Sequence, residues 1–340
     1  MDFLSDTAAP AHPKVIEAIA AVNVGTAASY GADAVSERVR ATLKEVFETD
    51  DFDYWICASG TASNALALSL ICSPTGAIAC HEEAHIERDE RGAPEFFTGG
   101  GKLHLLPGVG AKIDETALRA ALTASTPDFV HETPLEVLSL TNLTECGTAY
   151  TSDEIKHFAA LAHAKNLFDH LDGARFANAV QSTGATPADM SWRAGIDVLT
   201  LGLTKTGAIG CELIILFGAL KQRMSDLRAR AKRSGHMPPK MRFLAAQAEA
   251  MLTDGLWLNL AQSANQSARA LANALCSQTG VTLAYPTDGN EVFVALPASV
   301  EATLREADVK FYPWPGGSHR FVCNWSTAQT DIEAVRALFA

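Results

Sequence analysis

The feature that most constrains this chain is an alternation, over about its first 240 residues, of short apolar runs with stretches of helical periodicity. The runs are YWICA (54–58), AIAC (77–80), LEVLSL (135–140), LFDHLD (167–172), DVLTL (197–201) and ELIILF (212–217). A strand that is apolar at consecutive positions is covered on both faces. A helix between two such strands returns the chain to the same sheet edge, so the strands run parallel. The pattern predicts a large three-layer α/β domain with a mostly parallel sheet. Helices are expected over 35–47, where Val35, Val39, Leu43, Val46 and Phe47 share a face, over 65–72, near 114–124, and onward from a cap at Ser152-Asp153.

After RSGHMPPK (233–240) the pattern changes. A long helical region rich in Ala and Leu covers about 241–275, and strand-like runs follow at 291–296, 310–314 and 320–325. Residues 1–240 are expected to form the large domain, with an N-terminal arm of about 1–13. Residues 241–340 are expected to form a smaller C-terminal α+β domain.

Charge and cysteine usage narrow the classes of function. The 27 Lys+Arg stand against 39 Asp+Glu, a net charge of −12, with no basic run. Phosphate backbones and anionic membrane surfaces both require clustered cations, so neither nucleic acid nor a membrane is expected as a partner. The start, MDFLSDTAAPAHP, is acidic and unlike a secretory signal, and no run of about 18 apolar residues occurs. The seven cysteines form no CxxC pair and no metal-ligand spacing, so they read as free thiols in a reducing cytoplasm.

In open α/β sheets, ligands bind beyond the carboxyl ends of the strands. Three motifs fall there. Ser59-Gly60-Thr61-Ala62-Ser63-Asn64 joins a strand to a helix; small residues and a helix N-terminus make a phosphate cradle, although a plain helix cap would look the same. His170-Leu171-Asp172-Gly173-Ala174-Arg175 puts a carboxylate at a strand end, where a cap is the ordinary alternative. Leu203-Thr204-Lys205-Thr206-Gly207 places a lysine between two apolar strands. Desolvation there lowers an amine's pKa and makes it a better nucleophile towards carbonyls, whereas a snorkelling lysine would have no such role. In this order the set matches the needs of pyridoxal 5'-phosphate: a cradle for the phosphate, an Asp at the pyridinium nitrogen and a lysine for the Schiff base.

The chain also resembles the threonine aldolase family within the threonine aldolase and β-eliminating lyase superfamily of fold type I pyridoxal phosphate enzymes. It is most similar in pattern to the bacterial low-specificity L-threonine aldolases that include phenylserine aldolases. The likeness covers nearly the whole chain. It is carried by SDT (5–7), YGAD (30–33), SGTASN (59–64), AH (84–85), GAPEFF (92–97), HLDGARFANA (170–179), LTKTG (203–207), KMRFLAA (240–246) and RFVCNW (320–325).

The resemblance implies an aspartate aminotransferase-like fold and a lyase that reversibly cleaves L-threonine, L-allo-threonine and related β-hydroxy-α-amino acids, such as phenylserine, to glycine and an aldehyde. It implies that Lys205 carries the cofactor, that Asp172 pairs with its ring nitrogen, and that Ser59, Gly60 and Thr61 bind its phosphate with Thr204 nearby. His85 would stack on the ring. Arg175 and Arg320 would hold the substrate carboxylate, assisted by Ser5. Tyr30, Lys240 and Arg242 occupy positions where a neighbouring subunit reaches the site, so a homodimer or homotetramer with sites at the dimer interface is expected. A β-eliminating lyase or aminotransferase on the same scaffold is the alternative.

One departure stands out. Thr144 occupies the place where much of the family has a histidine. His85 becomes the first candidate for the base acting on the β-hydroxyl, with Glu87 and Asp89 as further candidates, and loose discrimination between substrate diastereomers is expected.

Overall fold

The computed structural model describes residues 1–339. Its larger sheet contains β1 (Phe52–Cys57), β2 (Ala77–His81), β3 (Lys102–Leu106), β4 (Leu135–Thr141), β5 (Phe168–Gly173), β6 (Val198–Gly202) and β7 (Glu212–Phe217). Their order is β1-β7-β6-β5-β4-β2-β3. The pairs β3–β2, β2–β4, β4–β5 and β5–β6 are parallel, and β7 runs antiparallel to both β6 and β1. Every residue of β6 and β7 is buried, so both faces are covered, as their unbroken apolar runs require. β3 was not foreseen from the sequence. It is the edge strand, and its exposed Lys102 and His104 break the apolar run.

The helices before, between and directly after these strands are α1 (Pro13–Ala21), α2 (Ala34–Val46), α3 (Gly60–Ile71), α4 (His85–Arg88), α5 (Ala93–Thr98), α6 (Glu115–Ala124), α7 (Ser152–His163), α8 (Phe176–Thr183) and α9 (Met224–Arg233). α3 is buried from Ala62 to Ile71 without a polar face, which makes it the central helix. α2 is capped by Asp33, whose Oδ1 accepts from the N–H groups of Val35 and Ser36. The cap of α7 is Thr151, one residue before the expected Ser152, in a reciprocal capping box with Glu154.

The chain continues with α10 (Arg242–Leu252), α11 (Leu256–Cys276), α12 (Ala298–Glu306) and α13 (Gln329–Ala337). An antiparallel sheet of β8 (Thr282–Leu283), β9 (Glu291–Ala295), β10 (Tyr312–Trp314) and β11 (Ser318–Val322) has the order β10-β11-β9-β8. The buried apolar clusters do not divide at residue 240. Met241, Ala245, Met251, Trp257 and Ala261 belong to the cluster of the large sheet, whereas Ala268, Leu271, Val292 and Phe321 belong to the second cluster. α11 thus spans both. Phe3 also packs in the second cluster, and its N–H and C=O bond to Lys310 and Val322, so the N-terminal arm is pinned on the smaller sheet.

Candidate functional site

The parallel strands bring the predicted residues to their carboxyl ends. Asp172 is the penultimate residue of β5, beside Thr141 of β4 and Thr200 of β6. The next residue has to be glycine: a Cβ on Gly173 would stand 2.8 Å from the carbonyl oxygen of Thr200. Lys205 lies in the turn between β6 and β7, half-buried. Gly207 closes that turn at φ +143°, a conformation L side chains rarely adopt. Thr204 fixes the turn from inside, its Oγ1 accepting the Cys211 N–H at 3.0 Å.

Ser59 is the N-cap of α3, with its Oγ accepting the Ala62 N–H. Gly60 and Thr61 are the first two helical residues, whose N–H groups have no intrahelical acceptor. Open space borders Gly60, since a Cβ there would meet nothing within 4 Å. This arrangement suits an anionic group.

Asn64, in the first turns of the same helix, was not singled out from the sequence. Its Nδ2 donates to Asp172 Oδ2 at 2.8 Å and to Glu90 Oε1 at 2.9 Å, and its Oδ1 accepts from Thr200 Oγ1 at 2.7 Å. The other Asp172 oxygen accepts the Ala174 N–H at 3.0 Å. Asp172 is therefore buried but fully oriented by its neighbours.

His85 opens α4, directly after β2. Its backbone N–H donates to Glu145 Oε1 at 2.7 Å, and its Nδ1 is 2.9 Å from Glu90 Oε1. Burial pulls the His85 pKa down, but the Glu90 hydrogen bond and the Asp172 charge outweigh it, so the pKa is raised. Burial, with Asp172 nearby, pushes the Glu145 carboxyl up to about 7. Of the acids near His85 in sequence, Glu90 contacts its ring, while Asp89 points to solvent and Glu87 lines a separate recess with Pro74 and Lys102. The Thr144 Oγ1 is held by the Gly110 carbonyl at 2.9 Å and by Thr148 at 2.9 Å, in a fully buried position.

The arginines meet partners that sequence reading did not supply. Arg175 Nε donates to Asp6 Oδ2 at 2.7 Å, and its Nη1 is 3.3 Å from Glu291. Arg320, on β11, has Nη1 at 3.8 Å from the same Glu291, a buried Nε with no hydrogen-bond partner, and its guanidinium over the rings of Tyr312 and Trp314. Burial raises the Glu291 pKa against the pull of both arginines. Burial acts on Asp6 in the same direction, but Arg175 and Lys205 overcome it and hold its carboxyl low. Ser5 caps the turn that carries Asp6, with its Oγ 2.8 Å from Thr7 Oγ1. Arg175 and Arg320 thus share one buried carboxylate, Glu291, whose oxygens accept no hydrogen bond.

Tyr30, Lys240 and Arg242 lie outside this set of contacts. The Tyr30 N–H donates to the Pro239 carbonyl, its ring lies under Lys232, and Arg242 reaches the carbonyls of Val24 and Gly25. Among the described residues, none of the three bonds to Lys205, Asp172 or His85.

The donor set fits pyridoxal phosphate: free helix N–H groups beside open space, a buried and oriented carboxylate, and a lysine in the turn across the sheet edge. Fold and site together define a pyridoxal phosphate enzyme of fold type I. The chain belongs to the beta-eliminating lyase family, whose model matches residues 2–299, and it is a lyase. It is 39% identical to the low specificity L-threonine aldolase of Pseudomonas aeruginosa, over 99% of this chain and 95% of that one. The enzyme of the same name from a Pseudomonas sp. is 36% identical over 98% of this chain and 96% of its own. A solved threonine aldolase from Leishmania major superposes with a TM-score of 0.90 at 28% identity, covering 100% of this chain and 99% of that one.

Proposed function

We propose that this chain reversibly cleaves β-hydroxy-α-amino acids, L-threonine, L-allo-threonine and phenylserine among them, to glycine and an aldehyde. The observation that carries this reading is the near full-length likeness to low specificity L-threonine aldolases.

Pyridoxal phosphate, when bound, supplies an electron sink for the carbanion left when Cα–Cβ breaks. Lys205 Nζ would carry it, with Ser59, Gly60 and Thr61 at its phosphate, Thr204 nearby and Asp172 at its ring nitrogen. Arg175 and Arg320 grip the substrate carboxylate, assisted by Ser5, and that grip selects the Cα bond to be broken. His85 takes the β-hydroxyl proton at Nε2, because Glu90 occupies Nδ1 and so sets the tautomer. A placed base of this kind contributes roughly 10²–10⁴-fold. With Thr144 engaged by Gly110 and Thr148, no second side chain at that position grades the β-hydroxyl, which supports loose syn/anti discrimination.

Tyr30 and Arg242 serve a neighbouring subunit's substrate and cofactor in this reading, within a homodimer or homotetramer. Tyr30 is exposed, and neither residue bonds to the chain's own Lys205, which supports it; light scattering of the purified protein tests it. Seven unpaired cysteines, six of them buried, support a cytoplasmic location.

The family's name also covers β-elimination, so the products decide. Acetaldehyde and glycine from threonine are expected, at comparable rates from both diastereomers; ammonia and a keto acid would overturn the aldolase reading. Lys205→Ala is expected to abolish the visible Schiff-base band and turnover together.

A further inference from the structure

At the opposite edge of the large sheet, where β5 and β6 begin, three side chains converge that the aldolase reading does not use. His163 is the last residue of α7, Asp169 is the second residue of β5, and Asp197 immediately precedes β6. His163 Nε2 is 3.0 Å from Asp169 Oδ2 and 3.0 Å from Asp197 Oδ2. One ligand atom from each residue lies within 4.8 Å of the other two.

The backbone holds this group firmly. The Asp197 N–H donates to the Asp169 carbonyl at 3.0 Å, and the Asp169 N–H returns to Asp197 Oδ2 at 2.8 Å. The loop before Asp197 passes close to the histidine: a Cβ on Gly195, at φ +100°, would stand 3.6 Å from His163 Cε1.

Asp169 is the residue that requires an explanation. Its side chain is 1% exposed, yet neither carboxylate oxygen accepts a hydrogen bond. The imidazole is hydrogen-bonded to Asp197, at 3.0 Å, and near Asp169 without bonding it. A buried carboxylate that accepts no hydrogen bond is costly, and a second carboxylate beside it adds to the cost. A cation placed among the three groups removes both problems. The side chain of His163 is 43% exposed and that of Asp197 27%, and both line a recess of about 270 Å³ with Trp192, so an ion has a route in.

We propose that His163, Asp169 and Asp197 form a binding site for a divalent first-row transition ion, zinc foremost. The donors are one imidazole and two carboxylates, a set that suits zinc and leaves a fourth position for water. Bonds of about 2.1 Å in a tetrahedron put ligand atoms about 3.4 Å apart. The observed 3.0 Å separations reach that with shifts of a few tenths of an ångström. The ion would tie the end of α7 to two central strands and, by binding the folded chain, stabilise it. This proposal does not rest on the aldolase reading.

The test uses the holoenzyme after dialysis against a chelator. Titration with zinc chloride, followed by calorimetry and by thermal unfolding, is expected to show one ion per chain and a raised Tm. Cobalt(II) as a probe is expected to give the intense visible bands of four-coordinate cobalt. His163→Ala, a change at a half-exposed position, is expected to remove the ion, the Tm rise and those bands while threonine cleavage is retained. Asp169→Asn should do the same. Zinc binding unchanged in both variants would overturn the proposal, as would no zinc binding by the parent protein. Magnesium binding indifferent to His163→Ala would overturn the imidazole's part in it.

Discussion

Asn64 Nδ2 lies 2.8 Å from Asp172 Oδ2, and the same nitrogen donates to Glu90 Oε1 at 2.9 Å. One amide thus joins the carboxylate assigned to the cofactor ring to the one that orients His85. Because Thr200 holds the amide oxygen at 2.7 Å, the group cannot flip without losing all three contacts.

Asn64→Ala is therefore expected to loosen the cofactor without unfolding the chain. A hydrogen bond to a charged group contributes about 1.5–3 kcal/mol, which corresponds to roughly 10- to 100-fold weaker retention of pyridoxal phosphate. Equilibrium dialysis followed by absorbance reads this directly. Unchanged retention would show that Asp172 is oriented well enough by the Ala174 N–H alone.

The link to Glu90 predicts a pH effect. Glu90 raises the His85 pKa, and the base must be neutral to take a proton, so activity should rise with pH through that raised value. Glu90→Gln keeps an acceptor for Nδ1 but removes the charge. The acid limb of kcat/KM is expected to move to lower pH by about one unit. A limb that stays in place would remove His85, or Glu90's influence on it, from the rate-determining proton transfer.

The two arginines are expected to differ when lost. Arg175 is clamped between Asp6 and Glu291, so Arg175→Leu leaves buried acids unpaired and should cost about 3–5 kcal/mol of stability as well as substrate affinity. Arg320 is 20% exposed and makes one long ionic contact, so Arg320→Leu should raise KM while Tm changes little. Thermal unfolding beside Michaelis kinetics separates the two outcomes; equal Tm losses would contradict the division.

Glu291 faces both arginines and already has a raised pKa. A substrate carboxylate placed beside it adds a like charge and raises that pKa further. Binding should then take up a proton, and affinity should fall as pH rises through the Glu291 titration. Calorimetry of glycine binding in buffers of different ionisation enthalpy is expected to show proton uptake that Glu291→Gln abolishes.

Much of this protein was legible in one dimension. Apolar runs without polar interruption specify strands covered on both faces, and small residues between strand and helix specify a turn at the sheet's carboxyl edge. That placed Ser59, Asp172 and Lys205 at strand ends and in the turns beyond them, since such features depend on neighbours a few residues away. β3 escaped because an edge strand exposes half its side chains. The boundary at 240 followed a change of composition, while α10 and the first half of α11 pack by shape onto the larger core.

What only the tertiary structure decided is which charges meet. Arg175 and Asp6 are 169 residues apart, Asn64 and Asp172 are 108 apart, and Asp6 and Asn290 are 284 apart. No local propensity encodes such pairs. They exist because folding removes water from one sheet edge, and a carboxylate or guanidinium stranded there must find whatever partner the packing brings within hydrogen-bond reach.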